Sequence, residues 1–368
     1  MNDEVVTRLL ELAIAIQQIP APTFFESLRA DFVRGQFQAE GLQDVTIDSA
    51  GNVLARLPGL DQRVPPLIVS AHLDTVFSHE TELRVTRDGR RIHGPGIGDN
   101  SLGVASLFGL IWSLRERGQP LPGDVWFAAN TGEEGLGDLR GMKAIVERFG
   151  ANVTAYLVIE GMAFGHIYHR AVAVQRYRVT ANTAGGHAWS DYGQPSAVHE
   201  LAALTAQIAA LSLPVSPRTT LNVGRIAGGT SINTVAAQAS IELDLRSESP
   251  KLLAELVSRV DALIETANRP GVRVEAESIG KRTGGSIPVD HPLVRLAVSC
   301  LRDQASEPAL IGGSTDANIA LSRGFPAVVL GVTTGGGAHT LNEYVNVEPV
   351  PRGMASLTNF VSEVWTVS

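Results

Sequence analysis

Pro66-Leu67-Ile68-Val69-Ser70-Ala71-His72-Leu73-Asp74 carries an apolar run directly into a histidine and a carboxylate. The run is short, unbroken and β-branched, as in a strand covered on both faces. Three more runs share its character: Val125-Trp126-Phe127-Ala128-Ala129, Ala155-Tyr156-Leu157-Val158-Ile159 and Ala327-Val328-Val329-Leu330-Gly331-Val332. Helical stretches separate them. Buried strands alternating with helices predict an α/β domain with a mostly parallel sheet. Such sheets bind ligands beyond the carboxyl ends of their strands. Those ends read His72 and Asp74 after the first run, Glu133 and Glu134 after the second and Glu160 after the third. His339 follows the fourth, across a Thr/Gly-rich loop. Four strands are thus expected to deliver histidine or carboxylate to one sheet edge.

A fifth element is the glycine-rich turn Gly94-Pro95-Gly96-Ile97-Gly98-Asp99-Asn100-Ser101, leading into a helix predicted from Leu102 to Arg115. Asp99 stands at the expected helix start, where a carboxylate also serves as a cap. Each of these residues alone has an ordinary explanation as a cap, a satisfied core histidine or a solvated charge. Together they do not, because like charges at one edge repel unless a cation compensates. Mixed imidazole and carboxylate donors suit zinc, cobalt or manganese. The five residues His72, Asp99, Glu134, Glu160 and His339 exceed one open tetrahedral site. They suit two ions about 3.5–4 Å apart with a shared carboxylate, for which Asp99 is the candidate. Asp74 lies two positions after His72, on the same side of an extended chain, and is expected to accept the second ring N–H of His72. Glu133 and Glu134 point apart in extended backbone, so one can bind metal while the other serves as a general base.

Between these strands the pattern changes. Residues 171–281 read strand (Ala171 to Ala181), helix (Ser196 to Leu211), strand (Thr219 to Ile226), strand (Ala237 to Arg246), helix (Pro250 to Ala267), strand (Val272 to Ile279). This β-α-β-β-α-β order is the split βαβ, ferredoxin-like pattern. Ile241, Leu243 and Leu245 alternate with Glu242, Asp244 and Arg246, as in a sheet with one wet face. The expectation is an α+β domain at 171–281 inserted into a catalytic α/β domain formed by 1–170 and 282–368.

The chain has 368 residues, 44% hydrophobic and 18% charged, which suits globular packing of about two domains. A net charge of -8 argues against a nucleic-acid partner. The acidic opening Met1-Asn2-Asp3-Glu4 and the predicted surface helix from Val5 to Ile19 do not read as an export signal, and no run suggests a membrane span. A cytoplasmic location is expected. The one cysteine, Cys300, sits in an amphipathic stretch and reads as a core residue. Gly94-Pro95-Gly96 fails as a dinucleotide loop because Asp99 stands where the third glycine belongs. Gly312-Gly313-Ser314-Thr315-Asp316 fails as a nucleophile elbow because Asp316 replaces a glycine. His199-Glu200 lacks the second histidine of a helical zinc motif, since position 203 is Ala203.

Taken in order, several stretches resemble the co-catalytic metallopeptidase family 20, the acetylornithine deacetylase, aminoacylase, peptidase T and glutamate carboxypeptidase group. They are Ser70-Ala71-His72-Leu73-Asp74-Thr75-Val76, Gly96-Ile97-Gly98-Asp99-Asn100, Thr131-Gly132-Glu133-Glu134-Gly135, Val158-Ile159-Glu160-Gly161 and Gly337-Ala338-His339. The resemblance makes Asp99 a bridge between one metal held with His72 and Glu160 and another held with Glu134 and His339. It makes Glu133 the general base and Asp74 the residue orienting His72. The inserted domain becomes a lid that also dimerises. In it, Ala184-Gly185-Gly186-His187-Ala188 resembles the segment whose histidine polarises the scissile carbonyl. Asn233 in Ser231-Ile232-Asn233-Thr234-Val235 and Arg246 in Asp244-Leu245-Arg246 resemble substrate-binding elements, with Arg246 pairing to a carboxylate. Ser314 belongs to a further signature, Gly313-Ser314-Thr315-Asp316-Ala317. Two positions depart from common patterns. Asn100-Ser101-Leu102 replaces the usual run after the bridge, and Glu160 resembles carboxypeptidase and deacylase members, where aminopeptidase-like ones carry aspartate.

The implied activity is two-metal hydrolysis of the amide bond of a peptide or N-acyl amino acid, with zinc first among the metals. The alternative is a non-catalytic, metal-binding descendant that holds a small molecule or a partner protein.

Overall fold

The computed structural model describes residues 3–367; Met1 and Asn2, the start of the acidic opening, lie outside them. The chain divides into two compact units: residues up to Ala171 together with those from Ser286 onward, and Val172–Gly285 between them.

The first unit is built on a mixed sheet. Its strands run in the order Gln43–Ile47, Val53–Leu57, Val125–Asn130, Leu67–His72, Ala155–Glu160, Ala327–Gly331 and His166–Ala171, with Ala309–Gly313 also pairing to the last. The four strands from Val125–Asn130 to Ala327–Gly331 are mutually parallel. They are the four apolar runs of the sequence, and nearly every residue in them is buried. The largely parallel α/β reading is therefore borne out. Register aligns their carboxyl ends: His72 lies opposite Asn130, and Glu160 opposite Gly331. Neighbouring strands stand about 4.8 Å apart, so residues at these ends fall within reach of one another. The helix Leu102–Arg117 is buried along almost its whole length, and Gly118 in the left-handed conformation ends it.

Asp99 does not cap that helix. The preceding turn, Ile97–Ser101, is irregular, and Asp99 itself has φ -115° and ψ 85°. Helical geometry starts only after it, at Leu102, and the Asp99 carboxylate is turned to other partners. Gly98 permits the tight packing of this turn, since a Cβ there would lie 2.5 Å from Met162.

The second unit is a four-stranded antiparallel sheet in the order Thr219–Gly228, Gln238–Ser247, Ala173–Asn182, Arg273–Arg282. Helices Ala197–Ala209 and Pro250–Ala267 join it in the chain order strand, helix, strand, strand, helix, strand. Ile241, Leu243 and Leu245 are buried with Leu201, Leu204, Leu256 and Val260 from the two helices. Their alternating neighbours Glu242, Asp244 and Arg246 stay partly exposed. Among the described residues no helix is long and apolar enough to cross a membrane. Cys300 is buried in the helix Pro292–Arg302, and burial is the main force pushing its thiol up to about 12.

A candidate metal centre

His72 ends its strand with its side chain only 1% exposed. Its Nδ1 lies 3.0 Å from the backbone carbonyl of Asp74. A carbonyl only accepts, so Nδ1 donates the hydrogen and Nε2 is left facing the sheet edge, where it offers a lone pair to a metal once its own hydrogen is released. The Asp74 carboxylate, expected to take that N–H, is 3.6 Å away and beyond hydrogen-bond range. It accepts instead from the backbone N–H groups of Glu133 (3.0 Å) and Glu134 (2.9 Å) and from the Thr23 hydroxyl (2.9 Å). Asp74 thus supports His72 through its main chain and both glutamates through its side chain.

The first unit brings all five predicted donors together. Oδ1 of Asp99 lies 3.2 Å from His72 Nε2, and Glu160 Oε2 lies 3.8 Å from the same nitrogen. Oδ2 of Asp99 lies 3.1 Å from His339 Nε2, and Glu134 Oε1 lies 3.2 Å from that nitrogen. One aspartate therefore addresses two donor pairs, one with each of its oxygens. Single donor atoms of His72, Asp99 and Glu134 all fall within 4.8 Å of one another. The spacings suit the chemistry. Tetrahedral bonds of about 2.0–2.1 Å place neighbouring donor atoms about 3.3 Å apart. His339 takes a left-handed backbone (φ 64°) just after Gly337 (φ 71°). That conformation costs a non-glycine residue about 1–3 kcal/mol and persists where the surrounding structure over-determines it.

The electrostatics show a site that draws positive charge. Burial pushes Glu160 well above the usual carboxylate value, and the nearby Asp99, Glu133 and Asp316 push it further, against His72. At His72 burial opposes protonation, but the carboxylates of Asp74 and Asp99 outweigh it and raise the imidazole well above 6.5. Hydrogen bonds to Asp99 and Glu134 raise His339 to about 10. Asp99 is lowered despite burial, because both imidazoles bond to it. Two imidazole nitrogens facing an excess of carboxylates are donors that suit divalent cations.

Several contributors have roles that their place in the sequence does not announce. Asn100, a departure from the family's common pattern, is fully buried. Its Nδ2 donates to the Ile159 carbonyl (2.8 Å), and its Oδ1 accepts from Gly161 N–H (2.9 Å). It thereby grips the backbone on either side of Glu160. Gly103 makes room for it, since a Cβ there would lie 1.9 Å from Asn100 Oδ1. Glu343, also fully buried, accepts N–H groups from the Asp99 turn. Arg29 is buried and donates to the carbonyls of Leu73 and Ile19, anchoring the segment beneath Asp74. The Tyr168 ring fills the space beside Gly313, where a Cβ would lie 2.5 Å from it. The Tyr168 phenol is raised by burial and by the charges of Glu160 and Asp99. Ser314, partly buried in the same unit, follows that glycine directly.

Glu133, with its main-chain N–H held by Asp74, is buried beside Glu134. The remaining predicted residues belong to the second unit. His187 pairs with Thr234 across a short ladder, and the Asn233 carbonyl accepts from Ala188 N–H. Nδ1 of His187 accepts from the N–H groups of Trp189 (3.2 Å) and Ser190 (3.3 Å). That use of the Nδ1 lone pair puts a ring hydrogen on Nε2, which can act as a donor. Arg246 pairs with Asp244 along its own strand, and Arg176 shares the same carboxylate.

A parallel sheet edge arranged around one two-faced aspartate is the architecture of a metal-dependent hydrolase that cuts amide bonds. The chain matches the peptidase family M20/M25/M40 over residues 68–363 and belongs to that family. The protein YqjE of Bacillus subtilis is 26% identical across 97% of this chain and 98% of its own length. The aminopeptidase PepT of Bacillus cereus is 25% identical with a TM-score of 0.79, over 98% of this chain and 99% of that one. A tripeptidase from Staphylococcus aureus shares the fold with a TM-score of 0.82 at 24% identity, over 98% of each chain.

Proposed function

We propose that this hydrolase cleaves the amide bond of a small peptide or N-acyl amino acid using two divalent ions, zinc before cobalt or manganese. His72 and Glu160 would hold one ion, Glu134 and His339 the other, with Asp99 shared. The observation that carries the reading is the division of the two Asp99 oxygens between His72 and His339. When bound, the ions supply Lewis acidity, polarising the scissile carbonyl and acidifying a water.

The chain's own residues supply the rest. Glu133 takes a proton from the attacking water and passes it to the leaving amine nitrogen as the C–N bond breaks. Asp74 fixes the backbone of Glu133 and so the direction of that carboxylate. His187, with its hydrogen on Nε2, donates to the carbonyl oxygen as charge develops there. Arg246 binds the substrate carboxylate as a guanidinium fork, with Asn233 and Ser314 as further substrate contacts. The second unit acts as the lid and as the contact between two copies of a cytoplasmic homodimer.

The test is a panel of dipeptides, tripeptides and N-acyl amino acids, with free or amidated carboxyl ends, assayed with zinc, cobalt or manganese and again with chelator. Chelator-sensitive cleavage that needs the free carboxylate supports the reading. Cleavage of N-blocked substrates marks a carboxypeptidase or deacylase, whereas a requirement for a free amine marks an aminopeptidase. Inactivity on the whole panel by protein carrying two ions would overturn it.

A further inference from the structure

Glu343 contributes no donor to the metal cluster, yet its carboxylate is fully buried and ends on the turn that carries Asp99. Oε2 accepts from Gly96 N–H (3.0 Å), and Oε1 accepts from Gly98 N–H (2.7 Å) and from the N–H of Asp99 itself (2.9 Å). Its main-chain carbonyl accepts from Gly94 N–H (2.9 Å), so the same residue holds both ends of the turn. These backbone groups are the side chain's hydrogen-bond partners among the described residues. Taking a carboxylate out of water is costly, and the three N–H groups it accepts from, which an apolar residue would leave unpaired, offset part of that cost.

Its position in the chain gives that cost a purpose. Glu343 lies four residues after His339, whose Nε2 meets Asp99 Oδ2. The chain from His339 to Glu343 therefore touches the Asp99 residue twice, at its carboxylate and at its amide. Gly96 is left-handed (φ 74°), and a Cβ there would lie 2.9 Å from Thr75, so the turn runs close against its neighbours.

We propose that Glu343 is a positioning residue for the metal pair: it clamps the Asp99 turn to the His339 segment, so that the shared carboxylate faces both donor pairs before any ion binds. This rests on the two-metal reading above. Supporting groups behind metal ligands typically contribute about 10–100-fold in affinity.

The experiment is stepwise cobalt titration of metal-stripped wild type and E343Q, followed by calorimetry and by the visible absorption of the bound ion. Glutamine keeps the shape and one acceptor but turns an N–H₂ toward an N–H. The expected result is a 10–100-fold loss in affinity, larger for one of the two ions, with an altered spectrum and a folded metal-free protein. Wild-type affinity and spectrum in E343Q would overturn the proposal, whereas failure of wild type itself to bind two ions would overturn the two-metal reading. Should E343Q not fold, amide exchange in metal-stripped wild type decides. Protection of Gly96, Gly98 and Asp99 amides without metal supports a preformed clamp; free exchange overturns it.

Discussion

Replacing Asn100 by leucine keeps roughly the same volume but removes both arms of the amide. The Ile159 carbonyl and the Gly161 N–H, held at 2.8 and 2.9 Å, then lose their partners in a region without solvent access. Each buried group left unsatisfied costs about 1–3 kcal/mol, so the pair amounts to about 2–6 kcal/mol. Against a typical total of about 5–15 kcal/mol, this is a large fraction of stability. Gly103→Ala reaches the same contact from the other side, because its methyl would lie 1.9 Å from Asn100 Oδ1 and displace it. The double variant should therefore be less destabilised than the sum of the singles, since both remove one interaction. The assay is urea unfolding of metal-stripped protein followed by tryptophan fluorescence; Trp112, Trp126 and Trp365 report on the first unit. An N100L loss below about 0.5 kcal/mol, or strict additivity with G103A, would refute the argument that Asn100 grips the Glu160 segment.

Two further outcomes follow from the site. Glu133→Gln should bind two ions with near wild-type affinity while kcat falls about 10²–10⁴-fold, as measured by metal analysis and steady-state kinetics; unchanged kcat would remove Glu133 as the base. Hydrogen bonds to Asp99 and Glu134 raise the His339 imidazole to about 10, so at neutral pH its proton competes with metal. Metal uptake at pH 7–9 should release that proton, and affinity should rise toward pH 10. The sign for stability is the reverse. In metal-stripped protein this histidine's contribution is complete below about pH 6.5 and is lost as pH rises through about 10. Calorimetry in buffers of different ionisation enthalpy reads the proton release, and a His339→Ala variant should lose that share of it.

Much of the sheet and of the cluster is legible in the sequence, for identifiable reasons. Leu67 to Ser70, Val125 to Ala129, Ala155 to Ile159 and Ala327 to Gly331 are apolar because the sheet is covered on both faces, and that requirement marks the chain directly. Histidine and carboxylate at their ends are conspicuous because such groups are expensive beside buried strands. Asp74 shows the limit. Its two-residue offset from His72 suggests a side-chain contact, but the His72 ring bonds the Asp74 carbonyl while the carboxylate is taken up by the N–H groups of Glu133 and Glu134.

The sequence by itself determined which segments are buried strands, which residue types end them, and that those types suit a divalent metal. Local spacing and burial carry that information. Only the tertiary structure decided the order of the strands and the roles of Asn100 and Glu343. The Glu343 contacts span 244 to 247 positions and those of Asn100 span 59 and 61. Each ends on main-chain N–H or C=O groups, which almost every residue possesses. A side chain that reads only backbone leaves no complementary residue type at its partner, so no pattern in the chain announces it until the fold brings the two together.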